Sequence, residues 1–337
     1  MKNITLKELA DQLGISVSTV SRALTDSYEI NIETKKRVQE LAKQLNYQPN
    51  PFASFLRKHK SKTIALVIPE ISNNFFSLVI KGVETICQDR DYYVLIYESH
   101  ESYNKEIRIL NHLIGGRVDG VLISVSSETK NSAHLKELLE RKINLVMFDR
   151  VMEDLDVVKV SSNDYKSSSE ATEHLINRGC KRILFLKAGE QLSTMQKRLS
   201  GYKDALLKNK INFDDNLIKT FYPCEKLDLE ELTKVIKTIK PDGIFCSVEY
   251  LAIACYDVCQ KLEIDIPKDI KVITFSNLQV ARHLNPSLST ISQPAFEMGK
   301  LIASTLINEI EGKETDAVKE IELDSTLIKR DSTKQDF

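Results

Sequence analysis

Apolar positions follow two different periods along this chain, and the change between them divides it. Over the first fifty residues the spacing is helical. Thr5-Leu6-Lys7-Glu8 places a hydroxyl residue three before a Glu, the pattern of a capping box, so a helix opens there. Leu6, Leu9, Ala10 and Leu13 give it an apolar stripe, and Gly14 supplies the backbone freedom that ends it. Ser16 then caps a second helix, from Val17 to about Leu24, with Val20 and either Ala23 or Leu24 facing inward. A third, from Asn31 to about Leu45, repeats apolar residues at Val38, Leu41, Ala42 and Leu45. Helix, glycine turn, helix is the helix-turn-helix layout, although any small three-helix bundle produces such stripes. The second helix also carries short hydroxyl residues able to bond phosphates and one arginine, Arg22, able to grip a guanine edge.

Residues 46–60, NYQPNPFASFLRKHK, break the pattern. Pro51 suits the first turn of a short helix, Phe52, Phe55 and Leu56 are apolar with no core close by, and a basic run follows. A helix this short is marginal in water, so it needs its own copy, DNA or both to fold against.

From Ile64 onward short apolar runs alternate with amphipathic stretches. Strands are expected at 63–68, 92–97, 120–125, 144–148, 157–160, 182–187, 217–222, 243–247 and 271–275. Helices are expected at 75–90, 103–114, 132–141, 165–178, 196–209, 227–239 and 249–262. A last helix runs from Ala295 to about Ile310, with a final strand at 320–329. Such alternation implies parallel sheets covered on both faces, and this many strands suit two doubly wound units. Ligands of such folds sit beyond the carboxyl ends of the strands. That singles out 73–76, 124–127, 149–150, 188–194, 247–249 and 276–277. No phosphate-cradling glycine motif is present, which speaks against a nucleotide-dependent enzyme.

Composition changes the picture only when split along the chain. Across 337 residues, 47 Lys+Arg meet 48 Asp+Glu, and a net charge of −1 argues superficially against nucleic acid. Residues 1–62, however, hold eleven basic and six acidic residues, while the rest carries an acidic surplus of six. A basic head on an acidic body prompts a search for an anionic partner of the head. No apolar run approaches a membrane span, and the N-terminus lacks the apolar core of a secretory signal, so a cytoplasmic protein is expected. The six cysteines form no CxxC pair; Cys255 and Cys259 share a helix face without further ligands, and no metal or other cofactor is expected. His100, His112, His134 and His174 are isolated in the sequence, without nucleophile–base spacing, and no enzyme is expected.

The segments ITLKELADQLGISVSTVSRAL, NIETKKRVQELAKQLNYQPNPFASFLRKHKS and TIALVIPEISNNFF, followed by RVDGVLIS, VMFDR, RLSGYKDAL, IPKDIKVITFSN and LSTISQP, resemble the lactose-repressor (LacI/GalR) family of bacterial transcription regulators along essentially the whole chain. The resemblance implies a helix-turn-helix headpiece at 1–48, a hinge helix and linker at 49–61, and a periplasmic-binding-protein-like α/β body at 62–330. The body would consist of one subdomain of 62–160 plus 293–319 and another of 161–292 plus 320–330, followed by a tail at 331–337. It further implies a homodimer that represses from a pseudo-palindromic double-stranded operator, under control of a sugar-like effector. By position, Val17, Ser18 and Arg22 would meet base edges, Val17 through a thymine methyl. Thr5, Ser16, Thr19, Ser21, Asn31 and Thr34 would hold phosphates, and Leu56 would wedge into the minor groove. Phe75, Arg150, Asn163, Arg198, Glu249 and Ser276 would line the effector cleft, although Phe75 also fits a core and each arginine also fits a structural ion pair.

The chain departs from the family where Val248-Glu249 replaces a common Asn-Asp and Ser276 a common Asp. Those departures leave open a different sugar, a phosphorylated one or a protein co-regulator. A sugar-processing enzyme of similar shape would need a catalytic carboxylate pair, and the sequence offers no clear one. The absence of further apolar heptads after LIKRDSTKQDF favours a dimer over a tetramer.

Overall fold

The computed structural model describes residues 4–47, 61–115, 117–189, 192–221, 227–313 and 318–334. They divide into two compact units, one ending at Ser61 and one beginning at Lys62. The hinge segment at 49–60, with Leu56, lies outside the described residues.

The first unit holds α1 (Leu6–Leu13), α2 (Val17–Leu24) and α3 (Ile32–Gln44). Each is started by a side chain that satisfies an otherwise orphaned backbone donor. Thr5 and Glu8 form a reciprocal capping box, the Glu8 amide donating to Thr5 at 3.2 Å and the Thr5 amide to Glu8 at 2.7 Å. Ser16 accepts from the Thr19 amide, and Asn31 from that of Glu33. Gly14 ends α1 at φ +64°, a conformation that costs a residue with a Cβ. Leu9, Val20, Ala23 and Val38 are fully buried, and Leu24, Leu41 and Leu45 pack around them half-buried. Between the two inward candidates of α2, Ala23 is therefore the core residue and Leu24 its flank.

In the second unit, one sheet has the strand order β11-β5-β4-β3-β1-β2 and the other β12-β10-β9-β8-β6-β7. The first comprises β1 (Thr63–Ile68), β2 (Tyr93–Glu98), β3 (Gly120–Ile123), β4 (Asn144–Phe148), β5 (Val158–Ser162) and β11 (Glu320–Leu323), all parallel. The second comprises β6 (Ile183–Ala188), β7 (Ile218–Phe221), β8 (Gly243–Cys246), β9 (Lys271–Phe275), β10 (Ser289–Ser292) and β12 (Thr326–Ile328). Only β12 runs antiparallel to its neighbour there. Central strands such as TIALVI are apolar throughout because helices cover both faces. Those helices are α4 (Asn74–Asp89), α5 (Tyr103–Leu113), α6 (Ala133–Glu140), α7 (Asp164–Asn177), α8 (Ser193–Lys208), α9 (Leu229–Ile239), α10 (Glu249–Lys261) and α11 (Ala295–Glu311). Each sheet thus has two apolar cores, one per face.

Four expectations are corrected. The stretch 320–329 is not one strand: it is β11 in the first sheet, then β12 in the second, and 320–323 accordingly does not belong with 161–292. Residues 161–162 end β5 and stay with the first sheet. The strand β10 falls where only a loop was expected, because Ser289, Ser292 and the threonine between them carry no apolar signal until β9 and β12 pair on either side. Finally, 331–334 is no free tail. Ser332 and Thr333 are buried, with Ser332 Oγ donating to the Val272 carbonyl at 2.6 Å and Thr333 Oγ1 2.8 Å from His174 Nε2.

Candidate functional site

Two surfaces carry polar chemistry, one in each unit. On the helical unit, α2 presents Val17, Ser18 and Arg22 outward. Val17 is 43% exposed. Arg22 is exposed but engaged: its Nη1 lies 2.6 Å from Glu29 Oε2, in the loop before α3. Sequence reasoning did not connect these two residues, seven apart, because only the turn between α2 and α3 brings them together. Thr5, Ser16 and Asn31 are the N-caps of the three helices, so each sits where backbone N–H groups and the helix dipole favour an anion. Ser16 Oγ also stands 2.8 Å from both Ser18 Oγ and Thr19 Oγ1. Thr19, Ser21 and Thr34 are half-buried.

In the second unit a cleft opens at the carboxyl ends of the strands of both sheets. Its wall includes Phe75 and Phe76 on α4, Asp149 and Arg150 after β4, and Arg198 on α8. Glu249 begins α10, Phe275 ends β9 with Ser276 just after it, and Gln293 follows β10. The enclosed space is about 50 Å³.

Both guanidiniums are paired, Arg198 buried and Arg150 half-buried. Arg150 Nη1 lies 2.8 Å from both Glu101 oxygens, and the guanidinium faces the Phe76 ring at 5.8 Å. Burial alone would raise the Glu101 pKa, but Arg150 and the Ser127 amide hold it below the usual carboxylate value. Arg198 Nε donates to Asp164 Oδ1 at 2.8 Å and Nη1 to the Ser247 carbonyl at 2.6 Å. Its guanidinium lies 3.8 Å over the centre of Phe275, so the plane is fixed by stacking as well as by hydrogen bonds. Asp149 is pushed up to about 6, first by burial and then by the neighbouring Asp164, against the pull of Arg150 and Arg198. Asp164 is also raised by burial despite its pairing with Arg198.

Glu249 spans the cleft. Its Oε1 accepts from Asn74 Nδ2 at 3.1 Å, on the first-sheet side, and its Oε2 accepts from Ser276 Oγ at 2.6 Å, on the second. Phe75 fills both roles open to it, being packed in the first-sheet core and lining the cleft.

Five of the six expected cleft residues therefore come together. The sixth, Asn163, does not: its side chain is consumed as the N-cap of α7, accepting from the Lys166 amide at 3.2 Å, and its amide group turns to Asp324 at 3.5 Å. The next residue, Asp164, is the one that reaches Arg198. Asn74 falls in the strand-end segment 73–76 already singled out, whereas Glu101, Asp164 and Gln293 were missed because no local pattern distinguishes them from solvated polar residues.

Two of the histidines that are isolated in the sequence find partners in the fold. His134 is buried, with Nε2 2.7 Å from Glu106 Oε1, and His174 meets Thr333, so both serve packing networks. Cys255 and Cys259 are buried in α10, Cys255 lying 3.9 Å from Cys246. Among the described residues no cluster of three or more His, Cys, Asp or Glu could hold a metal ion, and no helix is long and apolar enough to cross a membrane.

Residues 5–50 match the family model for bacterial regulatory proteins of the lacI family, and residues 172–333 match that for periplasmic binding protein-like domains. The chain is 31% identical to the HTH-type transcriptional regulator RegA of Clostridium acetobutylicum, over 98% of this chain and 99% of that one. Among solved structures, it superposes on the lac repressor dimer bound to operator and an anti-inducer with a TM-score of 0.86, at 18% identity over 98% of this chain and 99% of that chain. The transcriptional regulator CelR in complex with cellobiose gives a TM-score of 0.74 at 24% identity, over 98% of this chain and all of that one. With a helix-turn-helix unit in front, a two-sheet cleft body behind and a relative aligned almost end to end, the chain belongs to the lacI family of bacterial DNA-binding transcription regulators.

Proposed function

We propose that this regulator is a cytoplasmic repressor that binds a pseudo-palindromic operator as a homodimer, and that a carbohydrate effector in the body cleft sets its operator affinity. The observation that carries this reading is the pairing of an exposed polar α2 with a cleft built at the carboxyl ends of two parallel sheets. Val17, Ser18 and Arg22 read base edges in the major groove, while Thr5, Ser16, Thr19, Ser21, Asn31 and Thr34 hold phosphates. Leu56, in the hinge, enters the minor groove, where unstacking is offset by the wider contact a bent duplex allows.

Dimerisation has support in an unusual edge. Strand β2 lies at the edge of its sheet yet exposes Tyr93 and Leu95 on one face and Ile96 on the other, apolar side chains at an edge that an isolated soluble chain covers or charges. In the cleft, Arg150, Arg198, Glu249, Ser276 and Phe75 offer fixed donors, acceptors and an aromatic wall, the mixture that holds a sugar. Cellobiose in the CelR structure shows that the same architecture takes a carbohydrate in that protein.

The effector is read to bind between the two sheets, where the cleft opens at their carboxyl ends. Entry and operator binding are then coupled through one equilibrium, and each changes the other's affinity by the same factor.

The test is selection of operator sequences from a random duplex pool, followed by anisotropy titration of the selected duplex with and without a sugar panel. Specific binding that falls steeply between 50 and 200 mM salt, and shifts with one sugar class, is expected. No specific binding at moderate salt would sink the reading.

A further inference from the structure

We propose that the cleft selects its effector by charge, taking a sugar that bears a cationic amine and rejecting anionic sugars, with Glu249 as the selecting residue. This rests on the carbohydrate reading above and narrows it.

Four carboxylates, Asp149, Asp164, Glu101 and Glu249, form or back the cleft against two guanidiniums, Arg150 and Arg198. Lys197, the nearest further cation on α8, pairs with Glu322. Both arginines are spent internally: Arg150 lies 2.8 Å from both oxygens of Glu101, and Arg198 lies 2.8 Å from Asp164. A phosphate or carboxylate that drew Arg198 away would leave buried Asp164 without its counter-charge, which is strongly unfavourable, and one that drew Arg150 away would leave the half-buried Glu101 unpaired.

Glu249 stands apart. It lines the cleft, and both of its hydrogen bonds come from uncharged donors, Asn74 Nδ2 at 3.1 Å and Ser276 Oγ at 2.6 Å. Among the described residues no ion pair forms to it. An ionised carboxylate has about four acceptor positions, so two donors leave room for more. As the first residue of α10 it also sits at the positive end of a helix dipole. The second wall carboxylate, Asp149, points the same way. It is buried, 3.9 Å from Arg150 Nε, and its pKa is already pushed up to about 6, first by burial and then by Asp164. Another anion would worsen that crowding, whereas an ammonium group would relieve it.

The two residues that bring Glu249 its donors belong to different sides of the cleft, so the carboxylate is held centrally rather than folded back onto its own helix. An ammonium donating to Glu249 would supplement or replace the Asn74 contact and gain a charged partner that the protein itself does not provide.

The experiment is isothermal titration of the intact protein with two matched series, on the glucose and galactose skeletons. Each series contains the neutral sugar, its 2-amino-2-deoxy form, its uronate and its 6-phosphate. In the series that binds, the amino sugar is expected to exceed the neutral sugar by about tenfold, the scale of one charge-assisted hydrogen bond, with uronate and phosphate weaker than neutral. In Glu249→Gln the ratio of amino-sugar to neutral-sugar affinity should shrink to about twofold, whatever the change in neutral-sugar affinity itself, with thermal melting to confirm that the variant is folded. Uronate or phosphate binding as tightly as the neutral sugar overturns the charge selection, and so does an amino preference that survives Glu249→Gln. Neutral sugars binding better than their amino forms also overturns it, yet leaves the carbohydrate reading standing. Heat from none of these sugars overturns that reading and the selection with it.

Discussion

Single residues in this molecule do work that depends on what they are paired with. Arg22 faces outward on α2, but its guanidinium is held 2.6 Å from Glu29, so base reading begins from an engaged side chain. Both partners are about half exposed, and an exposed pair of this kind contributes under about 1 kcal/mol to folding. Glu29→Gln should therefore leave urea stability nearly unchanged while raising operator affinity, since it removes a negative charge beside the phosphates; weaker binding would instead make Glu29 a base contact. Arg22→Ala should relax preference at one operator position by roughly 1–3 kcal/mol, read by anisotropy over single-base variants. Uniform weakening would make it a phosphate contact. Arg198 behaves in the opposite way, because its side chain and that of Asp164 are both almost wholly buried. Arg198→Ala strands a buried carboxylate and should cost about 3–5 kcal/mol in urea unfolding, whereas Arg198→Met combined with Asp164→Leu should recover most of that loss. Equal losses in the single and double variants would show that packing on Phe275, not charge, is what Arg198 supplies.

At the level of elements, the most demanding contact lies between α4 and α11, which cross through a pair of glycines. A Cβ at Gly82 would fall 2.2 Å from the Phe296 carbonyl oxygen, and one at Gly299 would fall 2.2 Å from that of Val79. Backbone oxygens cannot rotate aside, so the helices must separate. In an isolated helix Gly→Ala stabilises by about 1 kcal/mol, which makes the sign informative here. Gly82→Ala should instead lower stability by about 1–3 kcal/mol in thermal and urea unfolding, since it overpacks a close crossing. A neutral or stabilising result would mean that α11 can slide on α4. The same crossing explains why the chain can return from the second sheet and still complete the first. The helix α11 buries Met298, Ile302, Leu306 and Ile307 in the first-sheet core, and β11 then adds to that sheet's edge.

For the molecule as a whole, pH couples distant sites through stability. Burial, with Arg178 and Lys329 adding to it, lowers His174 to about 4 in the folded chain. Unfolded, a histidine titrates near 6.5, so between roughly pH 6.5 and 4 the unfolded chain binds more protons and stability falls as pH falls. Asp149 acts with the opposite sign. Its carboxyl is raised to about 6, against roughly 3.9 unfolded, so it contributes stability at low pH that is lost as pH rises through that window. The two partly cancel, and the clean measurement is a difference. His174→Gln should lose less stability than the wild type between pH 6.5 and 4 in calorimetric melts; parallel profiles would mean that His174 does not titrate as described. Charge is also distributed at this scale, with a basic surplus of five on residues 1–62 and an acidic surplus of six on the rest. A net charge of −1 therefore describes neither part.

Much of the architecture was legible in the sequence because it is locally encoded. Capping at Thr5 and Ser16, the glycine stop at Gly14 and the apolar runs of β1 and β9 each depend on residues a few positions apart. The positions of Arg150, Arg198, Glu249 and Ser276 were also legible, from the motifs around them and from the rule that strand ends gather ligands. What only the tertiary structure decided are the pairings: Arg22 with Glu29, Arg198 with Asp164 rather than a neighbouring Asn163, and Glu249 between Asn74 and Ser276. It also decided that Ser289–Ser292 is a strand, that 320–329 serves two sheets, and that Ser332 and Thr333 are buried. The physical reason is common to all of them. A helix or a buried strand is selected by its own periodicity and burial, but a polar or short segment takes its conformation from the partner that satisfies its hydrogen bonds, and that partner is far away in the chain.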